Sequence, residues 1–363
     1  MPRFRALSMG DPAPWFRQRT PSNPLFVFDT VAGRYIVLCF FASASDAAAR
    51  DAIERIRAST VYDDVHASCF GVSLDPADEK EARVAERTPG FRVFWDFDSA
   101  ASEAYGARAV DDKNAMRRLW VVLDPMLRVL RIAPFESASA DDIAAFVAAQ
   151  PPSTERGTPA PVLYLPGVFE PEICATLIGK YRDHGGAESG FMREREGKTV
   201  MEIDHRHKRR RDCIIEDEAL RATLQERVRR RIVPEIAKAF QFHVTRMERY
   251  LVGCYRAEDS GHFRAHRDNT TKGTAHRRFA VSVNLNDDYD GGLLSFPEFA
   301  SPPFKPPAGG AVVFSCSLLH TASPVTRGER FAFLPFLYDD AAAELRERNN
   351  EFLGEGVGAY RKS

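Results

Sequence analysis

The sequence predicts two domains of different fold class, an α/β domain over residues 1–150 and a β-rich domain with flanking helices over residues 161–340. The chain has 363 residues, enough for two domains of ordinary size. Strand and helix patterns alternate in the first half, whereas short strands with Gly, Pro and Asp turns follow one another in the second. A proline-rich polar segment, 151–160, is the predicted linker, and residues 341–363 are predicted to form a helical tail.

The first half contains apolar strand patterns that run without interruption between helix patterns. Such strands belong to a sheet that is covered on both faces, which is typical of an α/β fold. The helix that begins near Ser45 or Asp46 has a good capping residue. The predicted strands are FVFDT, RYIVLCFFA, DVHASCFGVSLD, FRVFWD and the pair joined by Asp-Pro in RRLWVVLDPMLRVLRIAPF; the predicted helices are SDAAARDAIERIRAS, DEKEARVAERT, SAASEAYGA and SADDIAAFVAAQ.

The second half begins with helix patterns and continues with strands. The helices are FEPEICATLIGKYRDHG and DEALRATLQERVRRRIVPEIAKAF. Short strands separated by turns then run from about Met247 to Leu337, and DAAAELRERNNEFLG has a helical pattern again. Strands in series with turn residues between them predict an all-β sandwich or barrel with helices packed outside.

Composition limits the classes of partner. Hydrophobic residues make up 44% and charged residues 28%, and the formal net charge is -1, so no overall attraction to nucleic acid or membranes is expected. The six cysteines are scattered, which favours reduced, buried thiols over a disulfide framework. The first residues lack the apolar segment of a secretory signal, and no apolar run approaches the ~20 residues of a membrane span. A cytoplasmic protein is therefore expected.

Four polar residues near the C-terminus form the most informative pattern. His266 and Asp268 lie two positions apart in GHFRAHRDN, so on a strand their side chains point to the same face. His320 lies 52 positions after Asp268, on a later predicted strand. Two imidazoles and one carboxylate form the facial triad that binds non-haem Fe(II). Arg330 follows His320 by ten residues, and its planar guanidinium can hold a carboxylate through two hydrogen bonds.

The surrounding motifs resemble those of one enzyme family. ERYLVGCYRAEDSGHFRAHRD, RRFAVSVNLNDDYDGGLLSFPE, PPAGGAVVFSCSLLHTASPV and GERFAFLPF resemble the prolyl-4-hydroxylase type of Fe(II)/2-oxoglutarate-dependent dioxygenase. The resemblance implies a double-stranded β-helix (jelly roll), with Fe(II) on His266, Asp268 and His320 and with 2-oxoglutarate anchored by Arg330. It also implies O2 as oxidant, L-ascorbate as reductant and release of succinate and CO2. The implied reaction is hydroxylation, or another oxidation, of an unactivated C–H bond in a peptide, amino acid or small metabolite.

Three further residues are candidate contacts of the cosubstrate. In the strand 278–286 the small polar residues alternate with apolar ones, which places Ser282 and Asn284 on the cavity face of such a β-helix. Relatives often carry a tyrosine where Asn284 stands. Tyr255 precedes the metal-binding strand and would bring a phenol near the cosubstrate.

The first half resembles the peroxiredoxins, which have a thioredoxin-like fold. The resemblance covers about residues 8–148 and rests on GDPAPWF, YIVLCFFA, FGVSLDPADEKEARVAE, EAYGA and RRLWVVLDPMLRVL. Ala42, Asp46 and Ala49 occupy the places of that family's proline, threonine and peroxidatic cysteine, whereas Arg118 matches its arginine. Cys39 lies within an apolar strand and is interpreted as a buried hydrophobic residue. We therefore expect a non-catalytic module with one of three roles: dimerisation to a homodimer, substrate capture or substrate positioning.

The remaining histidines and a basic stretch have less specific interpretations. His262 and His276 are predicted at the rim or surface, and His205 and His207 are predicted to be solvated. Between Arg193 and Arg231 there are 13 Lys/Arg and 9 Asp/Glu, interpreted as a mixed-charge surface, with a patch for an anionic substrate as the alternative. Nucleic acid is disfavoured as a partner because aromatic residues that would stack on a flipped base are not evident.

Two other functions stay open at this point. A non-enzymatic sensor could retain the metal and 2-oxoglutarate site without turnover. A thiol peroxidase is nearly excluded by Ala49.

Overall fold

The computed structural model describes residues 1–155 and 158–361. It contains two compact units, one of Met1–Pro159 with Pro297–Ser301 and one of Ala160–Phe296 with Pro302–Ser363. The division after Pro159 falls inside the segment 151–160 that was predicted as a linker. Within the described ranges, no helix is both long enough and apolar enough to span a membrane.

The first unit is an α/β fold around a seven-stranded sheet, as predicted. Its strands are ordered β2-β1-β5-β4-β3-β6-β7, with β3, β4 and β5 parallel and the remaining pairs antiparallel. The strands are β1 (Arg17–Thr20), β2 (Asn23–Val27), β3 (Tyr35–Ala42), β4 (Ala67–Ser73), β5 (Phe91–Trp95), β6 (Leu119–Leu123) and β7 (Val129–Pro134); the helices are α1 (Ala47–Ala58), α2 (Pro76–Lys80), α3 (Ala100–Ala104) and α4 (Ala140–Ala148).

Three elements of the first unit differ from the prediction, and one of them, β1, was not predicted at all. The helix predicted over DEKEARVAERT is α2 alone, which Asp75 caps and which ends before Ala82. Ala82 has a φ of 50°, in the left-handed region that does not continue a helix. The strand predicted over FVFDT is β2 followed by a 3-10 turn at Phe28–Val31. The helix and the second strand both end earlier than predicted, because the local backbone departs from the helix or strand conformation.

The second unit is a jelly roll with outer helices, which confirms the predicted fold class. One large sheet has the path β14-β24-β17-β23-β15-β13-β9, with β20 paired to β17 and β8 paired to β20. A smaller sheet has the order β12-β16-β21-β19. The strands are β8 (Leu163–Leu165), β9 (Ala187–Glu188), β10 (Phe191–Arg195), β11 (Lys198–Glu202), β12 (Lys208–Arg209), β13 (Arg211–Ile214), β14 (Arg246–Glu248), β15 (Leu251–Arg256), β16 (His262–His266), β17 (Phe279–Asn284), β18 (Asp290–Gly291), β19 (Leu294–Ser295), β20 (Ala311–Ser315), β21 (His320–Ala322), β22 (Val325–Arg327), β23 (Glu329–Phe333) and β24 (Phe336–Tyr338); the helices are α5 (Pro171–His184), α6 (Glu218–Arg231), α7 (Val233–Phe240) and α8 (Asp340–Arg348).

The helices of this unit are shorter than predicted. The single helix predicted over DEALRATLQERVRRRIVPEIAKAF is two, α6 and α7, because Pro234 has no N–H to donate and its ring clashes with the preceding turn. In the tail, α8 ends at Arg348 and a 3-10 turn, Asn349–Phe352, follows, so the helical prediction for 341–363 holds only for its first part. Residues 362 and 363 lie outside the described residues.

The sequence also missed the strands that precede Met247. β8 to β13 contribute to the sheets of this unit, and β12 and β13 pair with strands that line the site described below. These strands are short, and β10 to β13 are rich in charged residues, so they lack the apolar alternation that identifies a strand. They form because of pairing with distant strands rather than because of local preference.

Candidate active site

His266, Asp268 and His320 converge at one end of β16 and β21, the two inner strands of the smaller sheet of the second unit. His266 ends β16, His320 begins β21, and the two are direct register partners. Asp268 follows β16 by two residues, and its backbone N–H donates to the Cys316 carbonyl at 3.0 Å. One ligand atom from each of the three side chains lies within 4.8 Å of the others. The structure therefore brings together the three residues that the sequence predicts as metal ligands.

Backbone carbonyls fix the tautomer of both imidazoles. His266 Nδ1 lies 2.7 Å from the Arg264 carbonyl oxygen, and His320 Nδ1 lies 3.1 Å from the Leu318 carbonyl oxygen. A carbonyl can only accept, so each Nδ1 carries the proton and each Nε2 keeps its lone pair. These Nε2 atoms lie 3.6 Å and 3.4 Å from the two carboxylate oxygens of Asp268. The lone pairs are thus presented to a common point beside the carboxylate.

The protonation states also suit a metal. Burial, followed by the nearby His320, lowers the pKa of His266 to about 4, so the ring is neutral at pH 7. Burial acts to raise the pKa of Asp268, but the His320 and His266 imidazoles outweigh this effect. The pKa of Asp268 therefore lies well below its usual range, and the carboxylate is ionised at pH 7. Neutral imidazole nitrogens and a carboxylate oxygen are the forms that bind a divalent cation. The residues present fit Fe(II).

The three side chains open into one cavity with an empty volume of about 540 Å³, counted out to its mouth. Residues from both sheets form its wall, and the predicted residues Tyr255, Ser282 and Arg330 are among them. The complete lining is Arg210, Arg249, Tyr255, Phe263, His266, Asp268, Ala280, Val281, Ser282, Leu294, Phe314, His320, Ala322, Arg330, Leu334, Pro335 and Phe336.

Arg330 is buried, with 3% of its surface exposed, on β23 of the large sheet. Its Nη2 donates to Ser282 Oγ at 2.9 Å and to Asn284 Oδ1 at 3.2 Å. Among the described residues, none has a carboxylate within ion-pair distance of this guanidinium. A buried charge without a counter-charge is costly, so this arrangement favours an anionic ligand.

The candidate cosubstrate residues surround Arg330. Ser282 and Asn284 accept its hydrogen bonds, as described, and Tyr255 lies directly opposite it in the β15–β23 pair, with the guanidinium 5.4 Å from the ring centroid. The Asn284 side-chain amide donates to Tyr289 Oη and to the Pro306 carbonyl, each at 2.8 Å. Asn284 does not line the cavity, so its visible role is to position Arg330. Whether the three residues contact a cosubstrate stays a prediction.

A glycine permits the close packing around the anchor. Gly292, in the predicted turn YDGGLLSF, has a φ of 60°. A Cβ there would lie 2.9 Å from Val325 Cγ2 and 3.1 Å from Arg330 Cδ. Any other residue would be strained by its backbone and would press on the arginine stem.

Sequence reasoning missed two arginines of the cavity wall. Arg210 comes from the basic stretch that was interpreted as a mixed-charge surface, yet only 5% of its side chain is exposed. Arg249 lies between β14 and β15 and also lines the cavity. Lys208 and Arg210, in HKRRRD, are two positions apart, so on a strand they would share one face, and both are buried. This spacing was the one available sign that Arg210 points inward. Without a predicted strand, that spacing had no meaning.

The other histidines are partly as predicted. His276 was expected at the rim, but it is 1% exposed and its Nε2 lies 3.1 Å from Glu248, so the prediction was wrong. A turn position does not expose a side chain that folds back onto a buried carboxylate. His207 was also predicted to be solvated, but it is half-buried against Phe191 and Phe263.

His205 and His262 agree better with the prediction. His205 is exposed beside Glu188, at 3.0 Å. His262 is partly exposed and bonded to the Ser260 carbonyl at 2.8 Å.

In the first unit, the place of the missing nucleophile is closed by an ion-pair cluster. Asp46 caps α1 by accepting from the Ala49 N–H at 3.0 Å, and it also pairs with Arg118 at 2.6 Å. Arg118 in turn pairs with Glu136 at 2.8 Å. Burial raises the pKa of the Cys39 thiol well above its ordinary value. Among the described residues, this unit offers no thiolate to reduce a peroxide.

Comparison with known families agrees with both resemblances. Residues 250–338 match the 2OG-Fe(II) oxygenase superfamily, and residues 9–129 match the AhpC/TSA family. The first match contains the metal triad and Arg330; the second contains Ala49 and Arg118. The two predicted resemblances are confirmed.

Curated relatives match the region of the metal site. A PKHD-type hydroxylase of Azoarcus sp. (strain BH72) is 35% identical over 89 residues, which are 22% of this chain and 39% of that protein. A PKHD-type hydroxylase of Cupriavidus metallidurans is 39% identical over 87 residues, 21% of this chain and 38% of that protein. The chain thus spans about two fifths of the length of these relatives.

Solved structures resemble each unit separately. A prolyl hydroxylase from Trichoplax adhaerens, in complex with a hypoxia inducible factor peptide fragment, has a TM-score of 0.39 and 15% identity, covering 51% of this chain and 86% of its own. A peroxidoxin from Mycobacterium tuberculosis has a TM-score of 0.34 and 20% identity, covering 40% of this chain and 100% of its own.

Proposed function

We propose that this protein is an Fe(II)/2-oxoglutarate-dependent dioxygenase that hydroxylates an unactivated C–H bond of a peptide, amino acid or small metabolite. One observation carries the proposal. A single cavity is lined both by the His266, Asp268 and His320 triad and by the buried Arg330, whose guanidinium has no carboxylate of the described residues within ion-pair distance. A metal triad alone would suit many reactions, whereas the added anion anchor favours a metal-bound dicarboxylate.

The roles of the residues follow from their positions. His266, Asp268 and His320 would hold Fe(II), and Arg330, oriented by Ser282 and Asn284, would hold the far carboxylate of 2-oxoglutarate. When bound, Fe(II) and 2-oxoglutarate supply the oxidation of a C–H bond by O2, with release of succinate and CO2. L-Ascorbate as reductant is part of the same proposal.

The chain's own contribution is a pre-shaped and largely apolar wall. Phe263, Leu294 and Phe314 line the cavity beside the triad. Apolar walls exclude water, which strengthens the hydrogen bonds that Arg330 makes to an anion. The carbonyl partners of the two imidazoles keep their Nε2 atoms aimed at the metal before it binds.

An anaerobic titration tests the proposal. Fe(II) and 2-oxoglutarate added to the protein should give a weak metal-to-ligand absorption band, and His266→Ala should abolish it. Absence of the band in the wild-type protein would refute the dioxygenase function. Succinate release measured across a panel of metabolites and peptides then separates an enzyme from a sensor, since a sensor would show the band without substrate-dependent turnover.

For the first unit we propose a non-catalytic role in dimerisation, substrate capture or positioning. The closed Asp46–Arg118 cluster and the absence of a thiol at Ala49 support a role without chemistry. Deleting residues 1–150 tests it: unchanged turnover, oligomeric state and stability would refute all three roles.

A further inference from the structure

Arg249 presents a positive charge to the cavity that the proposed function leaves unused. Among the lining residues, three arginines, Arg210, Arg249 and Arg330, face one carboxylate, Asp268. The proposed function assigns Asp268 to the metal and Arg330 to 2-oxoglutarate. The two charges of Fe(II) offset the two of 2-oxoglutarate, and those of Asp268 and Arg330 offset each other. Two arginines therefore remain to be explained.

Arg210 is already neutralised by its own partner. Its Nε and Nη2 donate to the two oxygens of Asp212 at 2.6 Å and 2.7 Å, a bidentate pair. Its Nη1 lies 3.4 Å from Tyr255 Oη, and Nη2 also reaches Ser189 Oγ at 3.3 Å. Four of its five N–H groups thus have partners inside the wall, so Arg210 acts as structure.

Arg249 has no such partner. Its nearest carboxylate oxygen is Asp212 Oδ2, at 3.6 Å, and that oxygen is already held by Arg210. The guanidinium of Arg249 lies 5.3 Å from the centroid of the Phe336 ring. Within the described residues it makes no hydrogen bond. Its side chain is 29% exposed, so the donors are available.

The neighbouring carboxylate of Glu248 offsets the charge of Arg249 only in part, because it also pairs with other cations. Glu248 is 7% exposed and pairs with Arg277 at 2.8 Å, Arg346 at 2.7 Å and His276 at 3.1 Å. Burial, followed by the positive charges of Arg210 and Arg277, lowers the pKa of Arg249 to about 10. The group is still charged at pH 7, and its surroundings disfavour that charge until an anion approaches.

The backbone at Arg249 is also held in a costly conformation. Its φ is 66°, in the left-handed region, which costs a residue with a Cβ about 1–2 kcal/mol. A glycine would make the same turn between β14 and β15 without this cost. Strained backbone at a cavity wall is a frequent feature of binding sites. Arginine in place of glycine here puts a long, charged side chain into the cavity wall.

We propose that Arg249 binds a carboxylate of the substrate, and that the substrate is a small carboxylic acid, free amino acids included. This inference rests on the proposed function and narrows its substrate class. A carboxylate balances the one charge left over, and a planar guanidinium with free donors suits it. The cavity must hold 2-oxoglutarate as well, which leaves space for a small acid more readily than for a folded peptide segment.

Binding of a minimal carboxylate tests the proposal without turnover. The full-length protein is loaded with Mn²⁺, which replaces Fe(II), and with saturating 2-oxoglutarate. Loading is verified by water-proton relaxation. Paramagnetic relaxation of ¹³C-acetate then reports acetate close to the metal, with ¹³C-acetamide as the uncharged match. We expect acetate to bind saturably and at least about tenfold more tightly than acetamide.

Three variants assign the effect to Arg249. Arg249→Gln should abolish the preference for acetate, and Arg249→Lys should keep part of it because the charge remains. Arg327→Gln is the matched control: it removes one positive charge from an exposed ion pair with Asp290 outside the cavity wall, so acetate binding should not change. An unchanged preference in Arg249→Gln, or no preference in the wild-type protein, would overturn the proposal.

Two further outcomes separate this proposal from the proposed function. Failure of the wild-type protein to bind Mn²⁺ and 2-oxoglutarate would refute the dioxygenase site, and the inference with it; normal loading without acetate binding would refute the inference alone. L-Alanine and N-acetyl-glycyl-L-alanine, each compared with its carboxamide, distinguish a free amino acid from a peptide end. Tighter binding of the peptide acid would overturn the assignment to a small acid.

Discussion

At the scale of single residues, the free-energy cost of burying the Arg330 charge explains why the site should bind an anion. Ser282 and Asn284 satisfy its hydrogen bonds but not its charge. Neutral acceptors hold a guanidinium in place while leaving it able to bind an anion strongly, because the cavity has a low dielectric. Arg330 therefore lowers the stability of the protein without a ligand and raises the stability of the protein with a bound anion.

Substitution of this anchor should separate cosubstrate binding from metal binding. We expect Arg330→Ala to raise the 2-oxoglutarate concentration for half-saturation by about ten- to hundredfold, since a charge-assisted bond is worth roughly 1.5–3 kcal/mol. Mn²⁺ affinity, measured by water-proton relaxation, should change by less than about threefold, because the triad is untouched. Arg330→Lys should be intermediate. Equal losses of both affinities would contradict the anchor role.

A second residue-scale prediction concerns pH and His207. Burial, followed by the charge of Arg193, lowers the pKa of His207 to about 4 from an ordinary value of 6.5. The unfolded chain therefore takes up this proton first, so the stability contributed by the neutral ring falls as pH drops from about 6.5 to about 4. We expect the wild-type protein to lose about 1 kcal/mol more than His207→Phe between pH 7 and pH 5, allowing for partial exposure.

Urea unfolding at the two pH values measures this difference, and an NMR titration of the His207 ring measures its pKa directly. Equal pH dependence of the two proteins would show that the ring is not buried as described.

At the scale of elements, the cavity depends on strands that come from distant parts of the chain. β16 and β21 bring the metal ligands, β17 and β23 bring the anchor and its acceptors, and β15 brings Tyr255. Strand pairing fixes these positions to within one register step, since a shift of one residue would turn each side chain to the opposite face. The rigidity of the site is thus a property of the sheets.

The segment that carries Arg249 is tied to the rest of the unit by a buried charge cluster. Glu248 on β14 binds Arg277 and Arg346, and Arg346 belongs to α8. We expect Glu248→Gln to destabilise the protein by about 3–5 kcal/mol, because removing the carboxylate leaves buried cations unpaired. Urea unfolding measures the loss.

Glu226→Gln, on the exposed face of α6, is the matched control for Glu248→Gln. It removes an exposed pair with Arg229 and should change stability by less than about 0.5 kcal/mol. Similar effects of the two substitutions would argue against a stabilising role of the buried cluster.

At the scale of the whole molecule, each unit has its own hydrophobic core. One core lies within residues 35–147 and another within 168–337. The cysteines follow the same pattern: the six in the sequence are all free and buried. Cys39 and Cys69 belong to the first core, and Cys174, Cys213 and Cys254 to the second.

Thiol chemistry therefore gives a prediction for the intact protein. We expect Ellman's reagent to label essentially no cysteine in the native state and all six after unfolding in urea, because a buried thiol is neither accessible nor ionised. Hydrogen peroxide should accordingly not be consumed at an enzymatic rate. Rapid labelling of one native thiol, together with peroxide consumption, would restore the peroxidase alternative.

Much of this protein was already determined by the sequence. The order of strand, helix and turn patterns predicted the two fold classes. Uninterrupted apolar strands between helices indicate a sheet covered on both faces, and strands in series with turn residues indicate a sandwich or barrel. The His-x-Asp spacing, His320 and Arg330 predicted the members of the site, because a metal triad requires particular residue types at strand spacing. The absence of a thiol at Ala49 was equally readable.

Only the tertiary structure decided which charged residues enter the cavity. Lys208 and Arg210 lie in a charged segment, which local pattern assigns to the surface, yet both are buried and Arg210 lines the cavity. Their burial results from pairing of β12 with β16 and of β13 with β15, contacts between residues about 40 or more positions apart. A hydrophobic residue records its destination in its own chemistry, whereas a buried charge is explained only by the partners, or the unmet ligand, that the fold brings to it.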